Sequence, residues 1–250
     1  MIVRGTFPSS ILKRDTSLCI LTPRTLPNDG LKVLYLFHGA WGDANTWLDY
    51  SMLADLAKDG DTMVVMPSVE DSYYQGAAFR YVSEELPQAV SSLFRTKGKA
   101  AVMGASLGGY GALRCALTYP DRYCFAASFS SPCLFLNEAL DLGRQDEKQF
   151  KQLYGIDIYS DFKRLFPSWE RQDKSDISAL SQQLKGEKPR IALYCGTIEF
   201  FKNDNRKMAN VLKQSGFPVT YEEFEGKHDF AFFNQALAKA WTVWQEQPSL

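Results

Sequence analysis

Five short apolar runs, separated by longer stretches with helical periodicity, constrain the fold of this chain most. The runs are Val33–Phe37, Thr62–Met66, Ala100–Met103, Cys124–Phe129 and Ile191–Tyr194. Near-continuous apolar runs of this length are typical of strands that are buried on both faces of a sheet. Because helical stretches alternate with the runs, the sequence predicts a mostly parallel sheet with helices on both faces. The predicted fold class is therefore α/β.

The chain divides into a sheet-forming body and one long segment without strand character. A hairpin of residues 2–7 and Ser17–Leu21 is predicted ahead of the sheet, and a helix over Ser83–Phe94 would have Ser83 as its N-cap. Residues 131–188 carry helical patterns but no convincing strand. Such an insertion is typical of a cap over a site, and a plain helical crossover is the alternative. We predict a single domain over residues 1–250 with a cap-like insertion at about 131–188, because this length suffices for one large core.

Charge, hydropathy and cysteine content exclude several other classes of protein. The 28 Lys and Arg residues balance 29 Asp and Glu residues, whereas a nucleic-acid-binding protein would show a basic excess. No apolar run approaches the roughly 20 residues that span a bilayer, and the first residues lack the apolar core of a signal peptide. Five scattered cysteines without a CxxC pair are typical of free thiols in a reducing compartment. We therefore expect a cytoplasmic protein that binds neither nucleic acid nor membrane.

A serine motif follows the third apolar run directly. The segment Gly104–Gly108 reads G-A-S-L-G and matches the pattern G-x-S-x-G, with a strand before it and the helical stretch Leu107–Leu117 after it. A sharp turn from strand to helix pushes the Ser106 hydroxyl out at the carboxyl edge of a sheet, and small flanking residues let the backbone close tightly. The free N–H groups of the following helix face the charge that develops on an attacked carbonyl oxygen. We predict that Ser106 is a catalytic nucleophile, with a bare structural turn as the alternative.

The loop after the first apolar run is expected to complete an oxyanion hole. It begins at His38 and contains Gly39 and Gly42, which allow the backbone to turn inward. In hydrolases with this serine motif, that loop supplies a second backbone N–H donor. We assign the two donors to the amides of Ala40 and Leu107. The alternative is an ordinary strand-to-loop turn with a buried histidine.

The base and the acid follow from position along the chain. A serine nucleophile needs a base that titrates near neutral pH, and His38 and His228 are the only histidines. His38 precedes the elbow and is better used as a structural residue, so His228 is the predicted base. Glu199 is the first carboxylate after the fifth run, and the order serine, acid, histidine matches the hydrolase pattern. Asp204 is the competing acid, although its place at a helix start suits a first-turn charge.

Taken together, these motifs resemble the putative-esterase (esterase D) family of α/β-hydrolases, especially its small bacterial tributyrin-esterase-like members. The matching segments are Leu36–Gly39, Trp47, Glu84–Pro87, Gly104–Ala112, Cys195–Thr197, Asp204–Asn205 and His228–Phe230. Within that family the acid segment usually reads Gly-Thr-Glu-Asp-Phe, whereas here it reads Gly-Thr-Ile-Glu-Phe, so that Glu199 stands at the usual aspartate. The resemblance implies an α/β-hydrolase fold with a helical cap, and carboxylesterase activity on short acyl chains.

Several functions stay open at this stage. The expected reaction hydrolyses a small-molecule ester through an acyl-enzyme and needs no cofactor. No metal is expected either, because no residues have the spacing of zinc ligands. Trp41, Tyr73 and Tyr74 are candidate pocket walls, with ordinary packing as the alternative. The resemblance also fits an S-formylglutathione-type thioesterase or an acetyl or feruloyl esterase on plant polysaccharides. A binding module on a degenerate hydrolase scaffold is the alternative outside enzymes, and the sequence leaves a homo-oligomer open.

Overall fold

A computed structural model of the chain describes residues 1–246. Eight strands form one sheet in the order β1-β2-β4-β3-β5-β6-β7-β8. The strands are β1 Ile2–Ser9, β2 Arg14–Leu21, β3 Lys32–Phe37, β4 Thr62–Pro67, β5 Ala100–Ala105, β6 Tyr123–Phe129, β7 Arg190–Gly196 and β8 Val219–Phe224. β1 and β2 are antiparallel to each other and β2 to β4, whereas all further neighbours are parallel. The predicted hairpin and the predicted mostly parallel sheet are both confirmed.

The helices lie on both faces of this sheet, as the alternation predicts. They are α1 Thr46–Tyr50, α2 Leu53–Leu56, α3 Gly76–Arg80, α4 Leu86–Leu93, α5 Leu107–Thr118, α6 Phe135–Gln145, α7 Glu147–Tyr154, α8 Ile156–Leu165, α9 Ile177–Gln183, α10 Lys202–Gln214 and α11 Phe230–Gln245. Side chains of β3 alternate between the faces, with Tyr35 packing into the core that α5 and α10 cover and Leu34 into the core that α1 and α11 cover. Within residues 1–246 no helix is long and apolar enough to cross a bilayer; the cytoplasmic location stays a prediction.

The helix expected over Ser83–Phe94 starts earlier than the sequence indicates. α3 begins at Gly76 and runs through a π-helical turn, Tyr81–Glu85, into α4. The Ser83 N-cap prediction is therefore wrong, because Ser83 is buried inside that turn. Pro87 lacks the N–H that would bond the Ser83 carbonyl in an α-helix, and the Arg122 guanidinium donates to that carbonyl instead. A π-helical turn is wider than an α-helical turn, and it accommodates the Arg122 side chain as the donor in place of a backbone N–H.

The carboxyl ends of the parallel strands are aligned at one edge of the sheet. Phe37 pairs with Gly104, Phe129 pairs with Ala105 and Tyr194, and Gly196 at the end of β7 pairs with Phe224. The loops that leave β3, β5, β7 and β8 consequently start side by side. In sheets of this kind, sites form at that edge.

All the regular elements between β6 and β7 are helical, and the described residues of this segment form no strand. It holds α6 to α9 and a 3₁₀ turn, Asp173–Ser175. Its own core is aromatic, because Phe150 and Phe162 are fully buried and pack against each other at a centroid distance of 5.4 Å. Phe135, the first residue of α6, contacts Phe201 in the loop after β7 at a ring-centroid distance of 6.3 Å.

Candidate active site

Ser106 occupies the turn between β5 and α5 in a strained backbone conformation. Its φ is 54° and its ψ is −126°, a region that residues other than glycine rarely adopt. The Ser106 N–H donates to the Phe129 carbonyl at 2.9 Å, which anchors the strained residue to the end of β6. The turn therefore holds the serine at the carboxyl edge of the sheet, where the sequence places it.

Two glycines allow the elbow to close. A Cβ at Gly104 would lie 2.4 Å from the Gly108 carbonyl carbon, and a Cβ at Gly108 would lie 2.4 Å from the Phe37 carbonyl oxygen. Either side chain would collide with backbone, which cannot yield as a flexible side chain could. The G-x-S-x-G pattern is thus required by the close approach of α5 to β3 and β5.

The loop after β3 lies against the serine. A Cβ at Gly39 would stand 3.2 Å from the Ser106 Cβ, so Gly39 borders Ser106, and Ala40 is the next residue of this loop. Leu107 is the first residue of α5, and the N–H groups of a first helical turn have no partner within the helix. The two backbone segments expected to form the oxyanion hole are therefore brought to the same serine.

His38 is buried and links two loops. Its Nε2 accepts the N–H of Val69 at 3.1 Å, and its Nδ1 lies 2.7 Å from the Gly39 carbonyl oxygen. Acceptance at Nε2 places the proton on Nδ1, which then donates to Gly39. Burial lowers the pKa of His38, which favours this neutral form, although the nearby Asp43 and Asp71 carboxylates act in the opposite direction. His38 therefore positions the loop beside Ser106.

Glu199 and His228 meet at the same sheet edge. Glu199 Oε2 lies 2.9 Å from His228 Nδ1, and Oε1 lies at 3.3 Å. The Glu199 side chain is fully buried, whereas 39% of the His228 side chain is exposed. The rings of Phe201 and Phe233 pack edge-on against His228, at 5.7 and 5.2 Å. The imidazole is thus held by one carboxylate and two aromatic rings, with Nε2 as its remaining polar atom.

Asp204, the competing acid, is engaged elsewhere. It lies in the first turn of α10, and its two carboxylate oxygens accept the Leu134 N–H at 3.0 and 3.1 Å. Burial raises the pKa of Asp204 to about 7, outweighing that hydrogen bond. Asp229, next to His228, caps α11 through the Phe232 N–H. Of these three carboxylates, Glu199 is the one that contacts His228.

The three aromatic side chains suggested as pocket walls have different surroundings. Trp41 is 74% exposed, and its backbone N–H donates to Asp71. Tyr74 is buried, stacks on Phe37 and donates its hydroxyl proton to the His38 carbonyl at 2.8 Å. Tyr74 therefore packs as a structural residue, the alternative that the sequence left open, whereas the Trp41 ring is exposed and its role as a pocket wall stays a prediction. Tyr73 alone lines a cavity beside the serine turn.

Two cavities of different size lie next to the site. A narrow cavity of about 10 Å³ is bordered by Leu107 and Tyr73, together with Tyr110, Pro132, Phe135 and Phe162. A wider cavity of about 350 Å³, here called the aromatic groove, is bordered by Glu199 and His228 and by the apolar or aromatic residues Phe135, Leu153, Tyr154, Ile158, Ile198, Phe200 and Phe201. Phe135 borders both cavities and separates them. Sequence reasoning missed all the groove residues except Glu199 and His228, although Phe200 and Phe201 directly follow Glu199 in the chain.

Hydrogen bonds hold the walls of the narrow cavity in place. Gln75 Nε2 donates to the Tyr110 hydroxyl at 2.9 Å, and that hydroxyl donates to the Ser175 carbonyl at 2.7 Å. Arg114 donates to Gln75 Oε1 at 2.9 Å. Because this network ties α5 to the helical segment between β6 and β7, it holds the Tyr110 side of the narrow cavity in place.

Comparison with known proteins agrees with this architecture. The putative esterase family matches residues 9–242. An acetyl esterase of Caldicellulosiruptor saccharolyticus is 31% identical over an alignment of 263 positions that covers 96% of each chain. Two solved structures share the fold at 23% identity. The substrate-bound fluorophosphonate-binding serine hydrolase F of Staphylococcus aureus has a TM-score of 0.80 over 99% of both chains. An S-formylglutathione hydrolase of the same organism has a TM-score of 0.77, covering 97% of this chain and 98% of its own.

The chain therefore belongs to the putative esterase family and has the α/β-hydrolase fold.

Proposed function

We propose that this member of the putative esterase family is a serine carboxylesterase that removes short acyl groups from small-molecule esters. The observation that carries the proposal is the Glu199–His228 pair at 2.9 Å, at the same sheet edge as a serine with φ of 54°. Esterase homology over nearly the whole chain supports the same reaction.

Each residue has one role in the proposed reaction. Ser106 Oγ attacks the ester carbonyl carbon while His228 Nε2 takes its proton. The amides of Ala40 and Leu107 stabilise the oxyanion. As the C–O bond breaks, His228 returns the proton to the leaving alcohol and the acyl group stays on Ser106. Water, deprotonated by His228, then attacks the acyl-enzyme, and the acid leaves.

Glu199 supports this cycle without taking the proton. It accepts the hydrogen bond from His228 Nδ1, which fixes the tautomer with Nε2 free and stabilises the imidazolium that forms. The longer glutamate side chain reaches the ring from the loop after β7, so the departure from the family's aspartate is compatible with a working triad. Glutamate is an accepted third member in this class of hydrolase.

The narrow cavity supports a short acyl group. It borders Leu107, whose amide would bind the carbonyl oxygen, and its volume of about 10 Å³ leaves no room for a long chain. The acetyl esterase relative agrees with acetyl as the preferred group. A formyl thioester would also fit, whereas a feruloyl group needs far more room. We further propose that residues 131–188 form a cap, because α6 and α8 supply walls of both cavities and α7 supplies a wall of the aromatic groove.

The test is a panel of p-nitrophenyl esters from acetate to octanoate, with methyl ferulate and S-formylglutathione, assayed on wild type and Ser106→Ala. We expect acetate to give the highest kcat/KM. Loss of the nucleophile should lower kcat by about 10⁶-fold while the circular dichroism spectrum is kept. Substantial turnover by purified Ser106→Ala, or a preference for octanoate or ferulate, would contradict the proposal.

A further inference from the structure

We propose that the aromatic groove binds the alcohol part of the ester and selects apolar, aromatic alcohols over glutathione and sugars. This inference rests on the proposed esterase function and adds the chemistry of the leaving group. In the proposed reaction His228 gives its proton to the leaving oxygen, so that oxygen must lie within hydrogen-bond reach of the imidazole. His228 borders the aromatic groove, so an alcohol whose oxygen lies at the imidazole can extend into this groove.

The acyl group is directed to the other cavity. The carbonyl oxygen points at the Leu107 amide, and Leu107 borders the narrow cavity but not the aromatic groove. Phe135 stands between the two cavities, with its ring 4.8 Å from the Tyr154 ring and 5.5 Å from the Phe162 ring. The two halves of an ester are thereby separated on either side of Phe135.

The lining of the groove defines which alcohol fits. No Lys or Arg is among the residues that border it, and its charged carboxylate, Glu199, is turned to His228. The anionic carboxylates of glutathione would therefore meet no cation and one negative charge. A sugar would find few hydrogen-bond partners, since Tyr154 and His228 supply the polar atoms of the wall and burying unbonded hydroxyls is costly.

Exposed apolar side chains at the mouth of the aromatic groove also support an apolar alcohol. Leu153, Ile198 and Phe200 are 52%, 57% and 70% exposed, although each is large and apolar. Clusters of this kind mark binding surfaces. Phe200 packs against Phe201 at 5.3 Å, and Phe201 packs against His228, so the apolar surface is continuous with the site. The volume of the aromatic groove, about 350 Å³, suits an alcohol with a single ring or with two fused rings.

The experiment compares esters that share an acetyl group and differ in the alcohol. The substrates are 2-naphthyl acetate, its anionic 6-sulfonate and ethyl acetate, with S-acetylglutathione as the thioester. The variants are Phe200→Ser, at the mouth of the groove, and Leu93→Ser as a matched control, since Leu93 is 75% exposed at the end of α4. We expect wild type to favour 2-naphthyl acetate over its sulfonate by at least about tenfold in kcat/KM. Phe200→Ser should lower kcat/KM for 2-naphthyl acetate about fivefold through KM, with a smaller change for ethyl acetate, as expected for lost apolar contact.

A second measurement does not depend on turnover. Binding of 2-naphthol to the Ser106→Ala protein, followed by naphthol fluorescence, should weaken when Phe200→Ser is added and should be unaffected by Leu93→Ser. If the chain is no esterase, the hydrolysis arm fails for every ester while the binding arm still reports on the groove. Equal naphthyl selectivity in the Phe200 and Leu93 variants, preference for the sulfonate or the glutathione thioester, or naphthol binding insensitive to Phe200 would overturn the inference.

Discussion

Replacing Phe135 with alanine should lengthen the acyl chain that the protein accepts. In the wild-type structure the narrow cavity measures about 10 Å³, about the space that one water-sized group needs. Two methylenes, the difference between butyrate and acetate, therefore gain nothing there. Removing the ring that separates the cavities would join the narrow cavity to the 350 Å³ aromatic groove. Since each buried methylene is worth about 0.8 kcal/mol, the two together contribute about 1.6 kcal/mol.

That free energy corresponds to an increase of about 15-fold in the butyrate-to-acetate ratio of kcat/KM. The assay uses p-nitrophenyl acetate and butyrate, with urea unfolding to confirm that the half-buried Phe135 can be removed without loss of the fold. Phe200→Ala serves as the control, because Phe200 borders the aromatic groove but not the narrow cavity, and its acyl ratio should stay at the wild-type value. A folded Phe135→Ala protein with an unchanged ratio would refute the assignment of the narrow cavity to the acyl group.

The remaining predictions concern the acid and the buried histidine. Glu199→Gln should lower kcat on a short ester at neutral pH by as much as about 10⁴-fold, and Glu199→Asp should retain more activity; Asp204→Asn should cost far less, and the reverse order would assign the acid to Asp204. His38 should make the protein less stable in acid: its pKa is lowered by burial, so below about pH 6.5 the unfolded chain takes up a proton that the folded chain does not. Urea unfolding from pH 8 to pH 5 should show wild type losing more stability than His38→Gln, and parallel curves for the two proteins would contradict this.

The sequence predicts most of the sheet because strands buried on both faces read as apolar runs of the correct length. Val33–Phe37 and Ile191–Tyr194 lie within β3 and β7, and the turn at Ser106 follows from the glycines that close it. The sequence does not show that the helix continues through Ser83. The Ser83 carbonyl, which Pro87 cannot bond, accepts a hydrogen bond from Arg122, and Arg122 lies 39 residues further along the chain. Local patterns do not report such long-range partners.

The candidate site also has one part that the sequence predicts and one part that it does not. Glu199 and His228 could be placed by chain order, because each comes just after a strand that ends at the same sheet edge. The aromatic groove could not be predicted, since Phe135 and Tyr154 come from the inserted helices and contact Phe201 and Phe200, respectively, only in the folded chain. Residues 131–188 show no strand, as predicted, but the sequence pattern does not say which of their aromatic side chains face the site and which form the segment's own core.

Labelling of Ser106 tests the central claim most directly. A fluorophosphonate reacts with an activated serine to form a stable adduct, and activation requires the base and oxyanion hole proposed for this site. Intact mass spectrometry followed by peptide mapping should find one adduct per chain, on Ser106, and none on the Ser106→Ala protein. A wild-type protein that stays unlabelled, or that carries its adduct on another residue, would contradict the account.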